Sequence, residues 1–94
     1  MEPEVVQARA VVCGRVQMVG FRAYVLHHAA NTGLRGTVRN QRDGTLEVML
    51  EGPLDAVENL IRLLHRGPSA AHVDRVDVEY QAASGELPPM RVTA

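Results

Sequence analysis

Between residues 14 and 22 the chain reads GRVQMVGFR, two glycines bracketing a short run that an arginine closes. Glycine reaches backbone conformations that other residues resist, so Gly14 and Gly20 can curl the segment until successive N–H groups converge. Such a nest holds an anion. If a helix starts near Phe21, its unpaired first N–H groups and the positive end of its dipole act on the same point. Arg22, in that helix's first turn, can then add a planar guanidinium fork suited to a tetrahedral dianion. A cation at this end of a helix opposes the dipole, so the position calls for a reason other than helix stability.

The rest of the composition narrows the chemistry. The chain has 94 residues, the size of one domain spanning 1–94. Hydrophobic residues make up 46% and aromatics only 3%, which predicts a core of Val, Leu, Ile, Met and Ala. All 10 cationic side chains are arginine, which excludes a Walker lysine, a Schiff-base lysine and a lysine base. A net charge of −1 provides no global basic field for nucleic acid. Cys13 is the only cysteine, so neither an intrachain disulfide nor a thiolate zinc site can form. His27 and His28 are adjacent and would diverge by about 100° on a helix, while His65 and His72 fall near element ends, so no metal site is expected. MEPEVVQ is acidic without an apolar h-region, and no apolar run approaches the roughly 18 residues of a membrane span. A cytoplasmic, monomeric protein that binds neither membrane nor nucleic acid is the expectation.

The elements that must position the loop follow from periodicity. Residues 5–13 carry Val6, Ala8, Ala10 and Val12 at period two, a strand. Phe21, Val25 and Ala29, with Leu26 and Ala30, recur at helical spacing, and Gly33-Leu34 predicts a Schellman-type stop. Leu34, Gly36 and Val38 then alternate with Arg35, Thr37 and Arg39, and Leu46, Val48 and Leu50 alternate with Glu47, Met49 and Glu51. Asp43-Gly44 between these runs signals a hairpin. Pro53 suits a first helical position, and Leu54, Val57, Leu60, Ile61 and Leu64 form a helical stripe closed by Gly67-Pro68. A strand over 73–81 places Val76, Val78 and Tyr80 on one face, and MRVTA is compatible with a short terminal strand. This order predicts an α+β ferredoxin-like split β-α-β sandwich, an antiparallel sheet with two helices on one face and the first and third strands central.

The segments VVCGRVQMVGFR at 11–22 and GTVRNQRDGTLEVMLEG at 36–52 closely resemble the two signature blocks of the acylphosphatase family, and the likeness spans almost the whole chain. The resemblance implies that backbone N–H groups of Arg15, Val16, Gln17, Met18, Val19 and Gly20 cradle a phosphoryl group whose charge Arg22 neutralises. It implies that Asn40 orients the attacking water; by its position alone, Asn40 would be a turn-flanking residue beside Asp43-Gly44. The implied activity is hydrolysis of a small acyl phosphate to a carboxylate and inorganic phosphate, without metal or cofactor. Such sparse machinery is adequate, because a carboxylate leaves without a general acid and phosphoryl transfer is mainly positioning and charge stabilisation.

The chain departs from the family pattern at Met18, where glycine is usual, and at Thr37, where an aromatic is frequent. A cradle needing positive φ at residue 18 would strain methionine by about 1–2 kcal/mol. The alternative is a module of the same fold that binds phosphate or an acyl phosphate with little or no catalysis. RNA-recognition domains share the topology but stack bases on sheet aromatics, and here Phe21 and Tyr24 fall on the first helix, leaving Tyr80 alone.

Overall fold

The alternation in the sequence becomes a sheet with one face packed under helices. A computed structural model describes residues 4–94. It contains β1 (Val5–Arg15), α1 (Phe21–Ala29), β2 (Arg35–Asn40), β3 (Leu46–Pro53), α2 (Leu54–Arg66), β4 (His72–Ala82) and β5 (Arg91–Val92). The sheet order is β4-β1-β3-β2-β5, so the first and third strands are interior as expected. Ala8, Ala10 and Val12 of β1 lie opposite Leu50, Val48 and Leu46 of β3, and all six are fully buried. Phe21, Val25 and Ala29 of α1 and Val57, Leu60, Ile61 and Leu64 of α2 close the same core. The Tyr24 hydroxyl donates to the Leu63 carbonyl at 2.8 Å and ties the two helices together.

Several boundaries differ from the sequence reading. The sheet is not wholly antiparallel, because β5 runs parallel to β2, with Val38 beside Val92. The chain reaches that edge after leaving β4: Ser84 and Gly85 N–H donate to Glu51 at 2.8 and 2.9 Å, and Gly36 N–H donates to the Pro88 carbonyl at 2.8 Å. α1 stops at Ala29 rather than at Gly33. There the Thr32 hydroxyl donates to the Ala29 carbonyl and accepts from Leu34 N–H, so a side chain supplies the stop and Asn31 takes a φ of 63°. Pro53 ends β3 and precedes the helix rather than opening it. In β4, Val76 and Val78 are half-buried, but Tyr80, on the same face, is exposed.

The sheet face away from the helices is not a solvated charge layer either. Gln7, Glu47 and Glu51 are buried on it. Glu47 receives Arg9 Nε at 2.7 Å and Arg39 Nε at 2.8 Å, which spans β1, β3 and β2 with one carboxylate. Burial pushes the Glu47 carboxyl up, but the two guanidinium hydrogen bonds and charges outweigh it and hold the group below its ordinary value. Arg39 is therefore an ion-pair partner rather than the free surface charge its strand position suggests.

Candidate active site

Three connections meet at one end of the sheet. β1 and β2 each run antiparallel to β3, so they point the same way and their C-terminal ends lie together. Leu46, at the start of β3, is paired with Val12 on one side and with Asn40 on the other. The loop that follows β1 and the asparagine that ends β2 are thus brought together by strand register. β5, parallel to β2, delivers Val92 to the same end.

The loop departs from β1 through a bulge. The β1–β4 register shifts between Cys13 and Gly14, where Gly14 has a φ of 130°. A Cβ there would collide with the His72 carbonyl and stand 2.9 Å from Asp74 N, so only glycine permits this approach to β4. Met18 and Gly20 then adopt φ values of 60° and 80°, and Gly20 caps α1. Gly20 has open space where a Cβ would be, so its requirement is conformational rather than steric. Met18 is left-handed as a glycine would be, which puts the anticipated strain in the structure; its side chain is 99% exposed and rests on nothing. Among the described residues, no N–H of residues 16–20 donates to a protein acceptor. Val16, Met18 and Gly20 of this loop and the first residues of α1 line a cavity of about 440 Å³.

Of the residues expected at the site, Val16, Met18, Gly20, Arg22 and Asn40 line that cavity. Arg15, Gln17 and Val19 do not: Arg15 closes the β1–β4 ladder opposite His72, Val19 packs against the core, and the Gln17 amide turns to the β2–β3 hairpin. Phe21, Ala23, Leu26 and Val92 complete the wall. Leu26 could have been found, one helical turn beyond Arg22. Val92 could not, because its place depends on the parallel pairing of β5. A neighbouring cavity of about 550 Å³, bordered by Arg39, Arg42 and Asp43, shares Asn40 with the first.

Asn40 separates two readings of its own role. A turn-flanking asparagine bonds the backbone of its turn, but in this hairpin Asp43 does so, accepting from Thr45 N–H at 3.0 Å and from the Thr45 hydroxyl at 2.6 Å. Those bonds, the hydroxyl's first, hold the Asp43 carboxyl below its ordinary value. Asn40 Oδ1 is instead the one buried side-chain polar atom without a hydrogen-bond partner among the described residues. An unpaired buried amide oxygen costs about 1–3 kcal/mol, an energy recovered when a donor meets it. Among the described residues no three of His, Cys, Asp or Glu are grouped to hold a metal ion. None of their helices is long and apolar enough to cross a membrane.

The fold is a ferredoxin-like α+β sandwich, two helices on a five-stranded, mostly antiparallel sheet. The profile of the acylphosphatase family matches residues 8–88. An acylphosphatase of Caldivirga maquilingensis is 51% identical over 75 residues, covering 79% of each chain, and one of Frankia alni is 46% identical over 89 residues, covering 95% of each. The crystal structure of the acylphosphatase from Bacillus subtilis superposes with a TM-score of 0.90 at 30% identity, covering 95% of this chain and 99% of that one. The chain belongs to the acylphosphatase family, a family of hydrolases.

Proposed function

We propose that the chain, as one domain spanning 1–94, hydrolyses a small acyl phosphate, with Arg22 and the loop backbone binding the phosphoryl group and Asn40 holding the water. The observation that carries this reading is the orphaned Asn40 amide oxygen, on a residue that shares a cavity wall with Arg22 and with a loop of free N–H donors. The N–H groups and the Arg22 guanidinium take the nonbridging phosphoryl oxygens and stabilise the charge they carry in the transition state. Rotation of the Asn40 amide toward the cavity lets its oxygen accept from a water and aim it at phosphorus. The water oxygen forms the new bond to phosphorus while the bond to the acyl oxygen breaks. The carboxylate leaves with that electron pair, and both protons of the water stay on the phosphate product as dihydrogen phosphate, which then equilibrates with solvent. A carboxylate of ordinary basicity needs no proton to depart, so no general acid is assigned.

The same reading takes the protein as a cytoplasmic monomer that needs neither metal nor cofactor and binds no nucleic acid. Against an RNA surface, Tyr80 lies opposite Ala8 in register and so shares the helix-side face, while Arg75, Asp77 and Glu79 occupy the open one. Release of phosphate from acetyl phosphate, with and without a chelator, tests the reading. Turnover should survive chelation and fall by about 10³–10⁵ in Arg22→Ala, the range of an arginine acting on phosphoryl transfer. Asn40→Ala should lower kcat while inorganic phosphate inhibits as before. Phosphate binding without release would make the chain a binding module instead.

A further inference from the structure

Gln17 has a role that its place in the loop does not announce. Its side chain is the one side chain of residues 15–20 that hydrogen-bonds another part of the protein among the described residues. Nε2 donates to the Gln41 carbonyl at 2.7 Å and to the Thr45 carbonyl at 3.0 Å, so both amide hydrogens are used. Those two carbonyls belong to the neck of the β2–β3 hairpin, where Gln41 N–H donates to Thr45 O at 2.9 Å and Gly44 N–H to Gln41 O at 3.1 Å. Gln41 directly follows Asn40. Val16 and Met18, on either side of Gln17, line the cavity. One half-buried amide therefore joins the anion loop to the residue after the proposed water holder.

We infer that the Gln17 side chain is a positioning residue that sets the distance between the phosphoryl cradle and Asn40. The inference rests on the proposed function, since it concerns the alignment of the same water with the same phosphorus. Among the described residues no other hydrogen bond joins the two directly: the loop is anchored at its ends by β1 and α1, and Asn40 by its pairing with Leu46. Small errors in such an alignment are expensive, because a displacement of about 1 Å can cost on the order of 10²-fold in rate. Binding of phosphate to the loop depends on the loop's own donors and on Arg22, so it is separable from the alignment.

Gln17→Met keeps the length of the side chain and removes both donors. Acetyl phosphate turnover is measured for it and the wild type, and inorganic phosphate affinity is measured by direct titration, which needs no turnover. The expected result is a fall in kcat of about ten- to a hundredfold with phosphate affinity held within about twofold. In an Asn40→Ala background the same substitution should cost less than about twofold, because the alignment it protects is already lost. Gln17→Glu, nearly the same shape but with oxygens facing two carbonyls, should match or exceed the defect. Unchanged kcat, equal losses in both backgrounds, or phosphate affinity that collapses along with kcat would each overturn the inference, as would failure of both variants to fold, which would make Gln17 structural. A wild-type chain that releases no phosphate would defeat the proposed function itself, and titration would still show whether the cradle needs its clamp: affinity lost in Gln17→Met would reject a purely positional role.

Discussion

Replacing Met18 with glycine separates strain in the cradle from any contact the methionine makes. Met18 sits at a φ of 60°, and a left-handed conformation costs a side-chain-bearing residue about 1–2 kcal/mol. Its side chain is 99% exposed, so truncation forfeits no packing. Against the relief stands the extra freedom glycine loses on ordering, about 0.5–1 kcal/mol. The central difference is a gain of about 0.75 kcal/mol, with bounds near zero and about 1.5. Where that gain is read depends on the loop. If the loop is locked in the folded protein, it enters global stability, and Tm rises by about 3–6 °C at roughly 4–8 °C per kcal/mol. If strain lets the loop leave the cradle geometry locally, it enters kcat/KM and phosphate affinity alike, by about three- to fourfold at RT near 0.59 kcal/mol. The two are alternatives and cannot both take the full amount. Calorimetry with acetyl phosphate kinetics and phosphate titration on Met18→Gly measures all three quantities. A loss of kcat/KM beyond about tenfold would refute the strain argument and make the methionine a wall of the substrate site.

Two further substitutions probe what holds the loop and the C-terminal strand. Gly14→Ala should lower Tm by roughly 10–20 °C, since a Cβ meets the His72 carbonyl in a strained φ and such conflicts cost about 2–3 kcal/mol; a wild-type Tm would show that β4 yields freely. Glu51→Gln should cost about 2 kcal/mol near neutral pH, because one amide oxygen must replace a carboxylate that accepts from Ser84, Gly85 and Gln7. Those bonds, Ser84 N–H first, hold Glu51 below its ordinary value of 4.5 against the opposing push of burial, so its stabilisation is present above that pH and is lost as pH falls through the depressed folded value. The gap between wild type and Glu51→Gln in denaturant titrations should therefore shrink as pH falls below 4.5 toward and through the depressed folded value, and a gap independent of pH would refute the role of the charge.

How much of the fold was legible depends on whether a signal was local. Ala8, Ala10 and Val12, like Leu46, Val48 and Leu50, announce a buried face by alternation, and the structure buries them all. Asp43-Gly44 marks the hairpin by turn chemistry, and Gly44 takes its positive φ of 93°. The stop of α1 was misplaced because Gly33 advertises a left-handed cap, while the bond from the Thr32 hydroxyl to Ala29 ends the helix first. The burial of Glu47 and Glu51 could not be read from alternation, which counts them as solvent-facing. Their partners come from β1, from β2 and from the segment after β4, at separations of 8 to 44 residues.

The site shows the same division in sharper form. The loop glycines and Arg22 lie within nine residues, and their chemistry can be argued from spacing. Asn40 cannot be assigned that way, because an asparagine three residues before Asp43-Gly44 suits a turn as well as it suits a water. What separates the two is that Asp43, not Asn40, makes the side-chain bonds within the turn, leaving the Asn40 oxygen unpaired. That surplus exists only because Leu46 pairs with both Val12 and Asn40, which sets the asparagine beside the loop. A polar group left over from the local hydrogen bonding, at the point where two strand ends converge, is thus the structural signal that the sequence motif lacks. The Gln17 amide joins the same two ends, so a substitution there and one at Asn40 disturb a single distance and should fail to add.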